Sequence, residues 1–110
     1  MELPLAHAPV QATAFRGHTR IASLMAPDVG QVVAALGRLD GADAAEIRLD
    51  GIWPSVPDPE QAADDIVAIL SAAHVPLIAT LRPVRQGGRF DGAEAVRVGL
   101  LAAAARAGFA

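Results

Sequence analysis

Glu46, Arg48 and Asp50 alternate with Ile47 and Leu49. In an extended chain that spacing puts the three ionisable side chains on one face and the two apolar ones on the other. Strands buried in a parallel sheet normally read as apolar on both faces, so three ionisable residues on one of them need partners or a ligand. The formal charges of Glu46, Arg48, Asp50 and Arg82 sum to zero, which permits a paired network. From the residues alone two readings stay open: a structural ion-pair layer, or edge strand wetted on one side, and a site for a small polar ligand. Arginine suits a carboxylate, because its planar fork donates two parallel hydrogen bonds and keeps its charge. Arg82, at a strand end beside a loop, is the position best suited to that task. By the same alternation Ser23 faces away from Leu24, and Thr80 and Arg82 away from Leu81, which extends the polar face across three strands.

The segment Pro83-Val84-Arg85-Gln86-Gly87-Gly88-Arg89-Phe90-Asp91-Gly92 is glycine-rich and could approach a ligand closely, or could merely connect two elements. It has neither the lysine of a phosphate loop nor the glycine spacing of a dinucleotide fold. His7, His18 and His74 show no metal-ligand spacing, and each reads as structural. Trp53, with Pro54, Pro57 and Pro59, suggests a stiff loop packed over a strand end. All nine basic residues are arginine, so no lysine amine is available for chemistry, and without cysteine there is no thiolate either.

The elements that would position these residues recur three times. Short apolar runs at Ile21–Ala26, Ala45–Asp50 and Leu77–Arg82, each about six residues, are sized as buried strands. Each leads into a segment with an apolar stripe at three- and four-residue spacing: Val29, Val32, Val33, Leu36 and Leu39; Ala62, Ile66, Ile69, Leu70 and Ala73; Ala93, Val96, Leu100, Ala103 and Ala107. Asp28 before Gln31, Asp58 before Gln61 and Asp91 before Glu94 predict three capping boxes, the second with Pro59 at the first helical position. Gly41 and Gly108 mark helix ends. Strands separated by helices predict parallel pairing and an α/β fold, with the polar face at the C-terminal strand ends. An open sheet and a closed barrel both begin this way. Residues 1 to 19 show no clear period and read as an N-terminal arm, leaving residues 20 to 110 for the repeats.

At 110 residues the chain is sized for one domain. Hydrophobic residues make up 53% and charged residues 19%, rich enough in apolar side chains to fold. A net charge of −3 without a basic run argues against nucleic acid and anionic membrane as partners. The opening Met1-Glu2-Leu3-Pro4-Leu5 lacks the form of a signal peptide, so a cytoplasmic setting is expected.

Ser23-Leu24-Met25, then Ala44-Ala45-Glu46-Ile47-Arg48-Leu49-Asp50, then Ala79-Thr80-Leu81-Arg82 followed by Gly87-Gly88, resemble type I 3-dehydroquinate dehydratase in order and spacing from about Arg20 onward. The resemblance implies a (β/α)8 barrel enzyme of the shikimate pathway, on the route to chorismate and the aromatic amino acids. It converts 3-dehydroquinate to 3-dehydroshikimate plus water through a lysine Schiff base, with no metal or organic cofactor. Glu46 and Arg48 would then bind ring hydroxyls, Ser23 would line the substrate pocket and Arg82 would help hold the carboxylate. The family's lysine and histidine lie on later strands, so no catalytic residue is expected here. Gln86 departs from a glutamate often found in the family, which helps orient that histidine. A barrel needs about 200 residues or more, so the expectation is an N-terminal fragment or truncated product comprising the first three strand-helix units and inactive alone. The expected partners are 3-dehydroquinate and, for a full-length parent, a second copy in a homodimer. The competing expectation is a small non-catalytic α/β module that binds a small anion.

Overall fold

The computed structural model describes residues 19–110, so the expected arm, residues 1 to 19, lies almost wholly outside them, as do His7 and His18. Strand β1 is Ile21–Leu24, helix α1 Val29–Gly37, strand β2 Ala44–Arg48, the one-turn helix α2 Leu49–Ile52 and helix α3 Pro59–Ala72. Strand β3, Leu77–Thr80, runs through a short 3-10 turn at Val84–Gln86 into helix α4, Glu94–Ala107.

The strands form a parallel sheet in the order β1-β2-β3. Ser23 stands beside Glu46, and Arg48 beside Thr80. Neighbours in register share a face, so the sheet has one face of Ala22, Leu24, Ala45, Ile47, Leu77 and Ala79. That face meets the helices, where α1 packs on α3 and α3 on α4. The core between them contains Val32, Leu36, Ile47, Ile66, Ile69, Leu77, Leu81, Phe90 and Phe109. The opposite face carries Ile21 and Ala44 at its lower end, then Ser23, Glu46 and Ile78 abreast, and Arg48 beside Thr80 above them.

Two of the three expected aspartate caps form, the first with the Gln side chain reaching back and the second without it, since the Gln61 amide turns to Asp65. Asp28 accepts the Gln31 backbone N–H at 2.8 Å, while the Gln31 side-chain amide donates to its other oxygen at 3.0 Å. Asp58 accepts the N–H groups of Glu60 and Gln61, with Pro59 in the first turn. The third box does not form: α4 starts after Ala93, which makes no side-chain cap. Glu94 is instead claimed by two guanidinium groups, Arg97 at 2.7 Å and Arg85 at 2.8 Å. Charge-assisted bonds outcompete a neutral amide donor for the same carboxylate. The α4 stripe is also narrower than its periodicity predicts: Ala104 is buried, whereas Val96 and Ala107 are exposed.

The strands are shorter than the apolar runs. Asp50 falls in α2 and Arg82 follows the end of β3. Gly51 allows this α2 turn, since a Cβ there would stand 2.7 Å from the Ala26 carbonyl oxygen. Trp53 closes the α2 end as a buried side chain whose indole N–H donates to Asp65 at 2.9 Å. The other Asp65 oxygen accepts from the Gln61 amide at 2.7 Å.

Candidate functional site

Glu46 projects from the middle of the sheet, and both carboxylate oxygens are engaged by hydroxyls from the flanking strands. Ser23 of β1 donates to Oε1, and Thr80 of β3 donates to Oε2 at 2.8 Å. The Ser23 and Thr80 hydroxyls hold the Glu46 carboxyl below its ordinary range, helped by the Arg48 and Arg82 charges and opposed by partial burial. Glu46 is therefore an anion at neutral pH. A carboxylate has about four acceptor positions, so two remain for donors from a ligand.

Arg48, two residues on, is gripped by Asp50. Arg48 Nε donates to Oδ1 at 2.9 Å and Nη2 to Oδ2 at 2.8 Å, a two-point pair in which the Asp50 side chain is fully buried. The hydrogen bonds from Arg48 raise the basicity of that guanidinium. Burial pushes the Asp50 carboxyl up, but Arg48 and the backbone N–H groups of Arg89 and Arg82 outweigh it and leave the carboxyl below its usual range. A guanidinium has five N–H donors, so three remain on Arg48 after this pairing. Because Asp50 neutralises it, Arg48 offers directed donors more than net charge.

Arg82 is the complement. Its backbone N–H lies 3.4 Å from Asp50 Oδ1, while its exposed guanidinium makes no hydrogen bond among the described residues. The loop beyond it folds back on itself: Phe90 N–H donates to the Arg82 carbonyl at 3.2 Å and Val84 N–H to the Phe90 carbonyl at 3.0 Å. Gly87 turns the chain with a φ of 87°, and a Cβ at Gly88 would collide with the Arg82 carbonyl. Gln86 is exposed at the end of the 3-10 turn.

The four candidates Ser23, Glu46, Arg48 and Arg82 thus gather at one end of one sheet face. The expected four-charge network divides in two. Arg48 pairs with Asp50, while Glu46 pairs with hydroxyls, because the α2 turn carries Asp50 off the strand and under the loop after β3. Thr80 was legible as a polar residue of this face but not as a partner of Glu46, a pairing that depends on strand register. His74 bonds the Leu36 carbonyl at 3.1 Å through Nε2, away from this face. Among the described residues no cluster of three metal-ligating side chains exists, and no helix is long and apolar enough to cross a membrane.

This arrangement offers an anion with open acceptor positions, a neutralised arginine with open donors and a second arginine whose guanidinium makes no hydrogen bond among the described residues. Such a set is complementary to a small molecule bearing both hydroxyls and a carboxylate.

The 3-dehydroquinate dehydratase of Desulfotalea psychrophila is 42% identical over 88 residues, covering 80% of this chain and 35% of that protein. Those of Methanosarcina mazei and Methanosarcina barkeri are 44% and 43% identical over 61 residues, or 56% of this chain and 24% of theirs. The chain spans about a quarter to a third of the length of these relatives. The family described as type I 3-dehydroquinase matches residues 21–110. That family is built on the (β/α)8 barrel, of which β1, β2 and β3 with their helices form the first arc. The chain belongs to the type I 3-dehydroquinase family.

Proposed function

We propose that this chain is the substrate-holding N-terminal part of a 3-dehydroquinate dehydratase. Arg82 receives the substrate carboxylate, Glu46 and Arg48 receive its ring hydroxyls, and Ser23 lines the pocket. The observation that carries the reading is the division of charge: Asp50 neutralises Arg48, whereas the Arg82 guanidinium has no hydrogen-bonded counter-ion among the described residues. A carboxylate gains most from a cation that nothing else has claimed. Glu46, held ionised by Ser23 and Thr80, keeps acceptor positions suited to hydroxyl donors.

These residues position a substrate and do not supply the chemistry. The sequence has no lysine, so in this reading the Schiff-base amine comes from outside these residues, and the family resemblance puts the proton-moving histidine with it on later strands. An iminium at the substrate carbonyl would withdraw charge from the adjacent carbon while a positioned base removes its proton, a contribution of typically ~10² to 10⁴ in rate. A homodimeric full-length parent and a cytoplasmic setting complete the proposal.

The test is turnover of 3-dehydroquinate by the full-length protein, with borohydride added during the reaction. The expected outcome is a reduced adduct on a lysine beyond Ala110 and none within the first 110 residues. A full-length protein that neither turns over 3-dehydroquinate nor is trapped by borohydride would remove the reading. In that protein Arg82→Ala should raise KM about ten- to a hundredfold, corresponding to one lost charge-assisted contact of ~1.5–3 kcal/mol. Its melting temperature should be unchanged.

A further inference from the structure

We infer that Asp50 is the positioning residue that locks Arg48 and the loop from Arg82 to Arg89 into a single ligand-binding unit. The inference rests on the ligand-binding roles proposed above, to which Asp50 itself contributes no direct contact. Its side chain is fully buried and receives four donors. Oδ1 takes Arg48 Nε at 2.9 Å and the Arg82 N–H at 3.4 Å. Oδ2 takes Arg48 Nη2 at 2.8 Å and the Arg89 N–H at 3.1 Å. Four donors fill the acceptor capacity of a carboxylate, which leaves Asp50 no position for a ligand.

What Asp50 joins is the substance of the inference. Arg82 and Arg89 are the two feet of the β3 loop, and they meet where Phe90 N–H bonds the Arg82 carbonyl. One carboxylate therefore pins both feet, and with its remaining lone pairs it orients the guanidinium of the neighbouring strand. The α2 turn makes this possible: had β2 continued, Asp50 would stand above Arg48 on the open face instead of beneath the loop. Glu46 has no comparable reach, since its two partners are hydroxyls of the flanking strands. A ligand bridging Arg48 and Arg82 thus meets a spacing set by a residue it does not touch.

The experiment uses the full-length protein and its Asp50→Asn variant, which keeps the side-chain volume but turns one acceptor into a donor facing other donors. Two readouts are taken: KM and kcat with 3-dehydroquinate, and hydrogen exchange of individual amides without ligand. The expected result is a KM raised at least tenfold with kcat lowered less than threefold. The Arg82 and Arg89 amides should exchange at least tenfold faster, while those of Ile47 and Ile69 keep their rates. A folded variant with KM within twofold of the parent, or with unchanged Arg82 and Arg89 exchange, overturns the inference. Where Asp50→Asn does not fold, Arg48→Ala replaces it, since it strips the two-point partner and leaves the backbone bonds. Faster exchange at Arg82 and Arg89 then supports the coupling, and unchanged exchange overturns it. A parent that does not turn over 3-dehydroquinate defeats the dehydratase reading alone, and the exchange measurements still decide the role of Asp50.

Discussion

Glu46 shows how a single residue can be read partly from sequence and partly not. Its alternation with Ile47 placed it on a polar face, and the structure puts it there between Ser23 and Thr80. Its hydroxyl partners come from other strands and depend on register, which no local spacing encodes. Asp50 was misplaced for a related reason. The run Glu46–Asp50 is consistent with an unbroken strand, but the buried donors that draw Asp50 aside lie more than thirty residues later, at Arg82 and Arg89. The Ser23 and Thr80 hydroxyls depress the Glu46 pKa. A carboxyl depressed in the folded state contributes stability that is fully present above its unfolded pKa, near 4.5, and is lost as pH falls through the folded value. Melting temperature followed by circular dichroism should therefore hold steady down to about pH 5 and decline below it. Glu46→Gln should show a shallower acid decline than the parent.

At the scale of elements, caps and stripes were legible wherever the capping carboxylate had no stronger suitor. Asp28 and Asp58 cap α1 and α3 as the spacing predicts. At α4, Arg85 and Arg97 hold the Glu94 carboxyl down to about 2, and the expected box gives way to a bridge between the loop after β3 and the first turn of the helix. Arg97 extends that bridge to the Leu81 carbonyl at 3.1 Å. The difference predicts unequal effects of two similar changes. Asp58→Ala should cost about 1 kcal/mol in urea-monitored stability, the usual loss for a helix cap. Asp91→Ala should cost less than about 0.5 kcal/mol, since its side chain caps nothing. Asp65 was the least legible residue of all, a charge on the apolar stripe of α3 between Ala62 and Ile66. Its reason is the Trp53 indole, which approaches from α2.

At the scale of the whole molecule, the order β1-β2-β3 and the helices on one face leave the polar face without a covering layer among the described residues. The outer edges of β1 and β3 likewise have no strand neighbour there, and the β3 edge receives the Ala110 N–H on its Leu77 carbonyl at 2.7 Å. Unpaired strand edges are templates for association. The 110-residue chain expressed alone should therefore elute above its monomer mass, checked by size-exclusion chromatography with light scattering. A stable monomer that melts cooperatively and binds 3-dehydroquinate by calorimetry would favour a self-contained binding module. The repeat of strand and helix was plain in the sequence because it is local and periodic. Closure into a barrel was legible only through the resemblance to a family, because open and closed sheets share their first three units. The exclusive use of arginine has one more consequence. A guanidinium stays protonated and is a poor nucleophile, so the cations at Arg48 and Arg82 can hold a ketone-bearing molecule without condensing with it. On the function proposed above, the binding surface is chemically silent toward the ketone of its own substrate, which leaves that carbonyl free for an amine elsewhere.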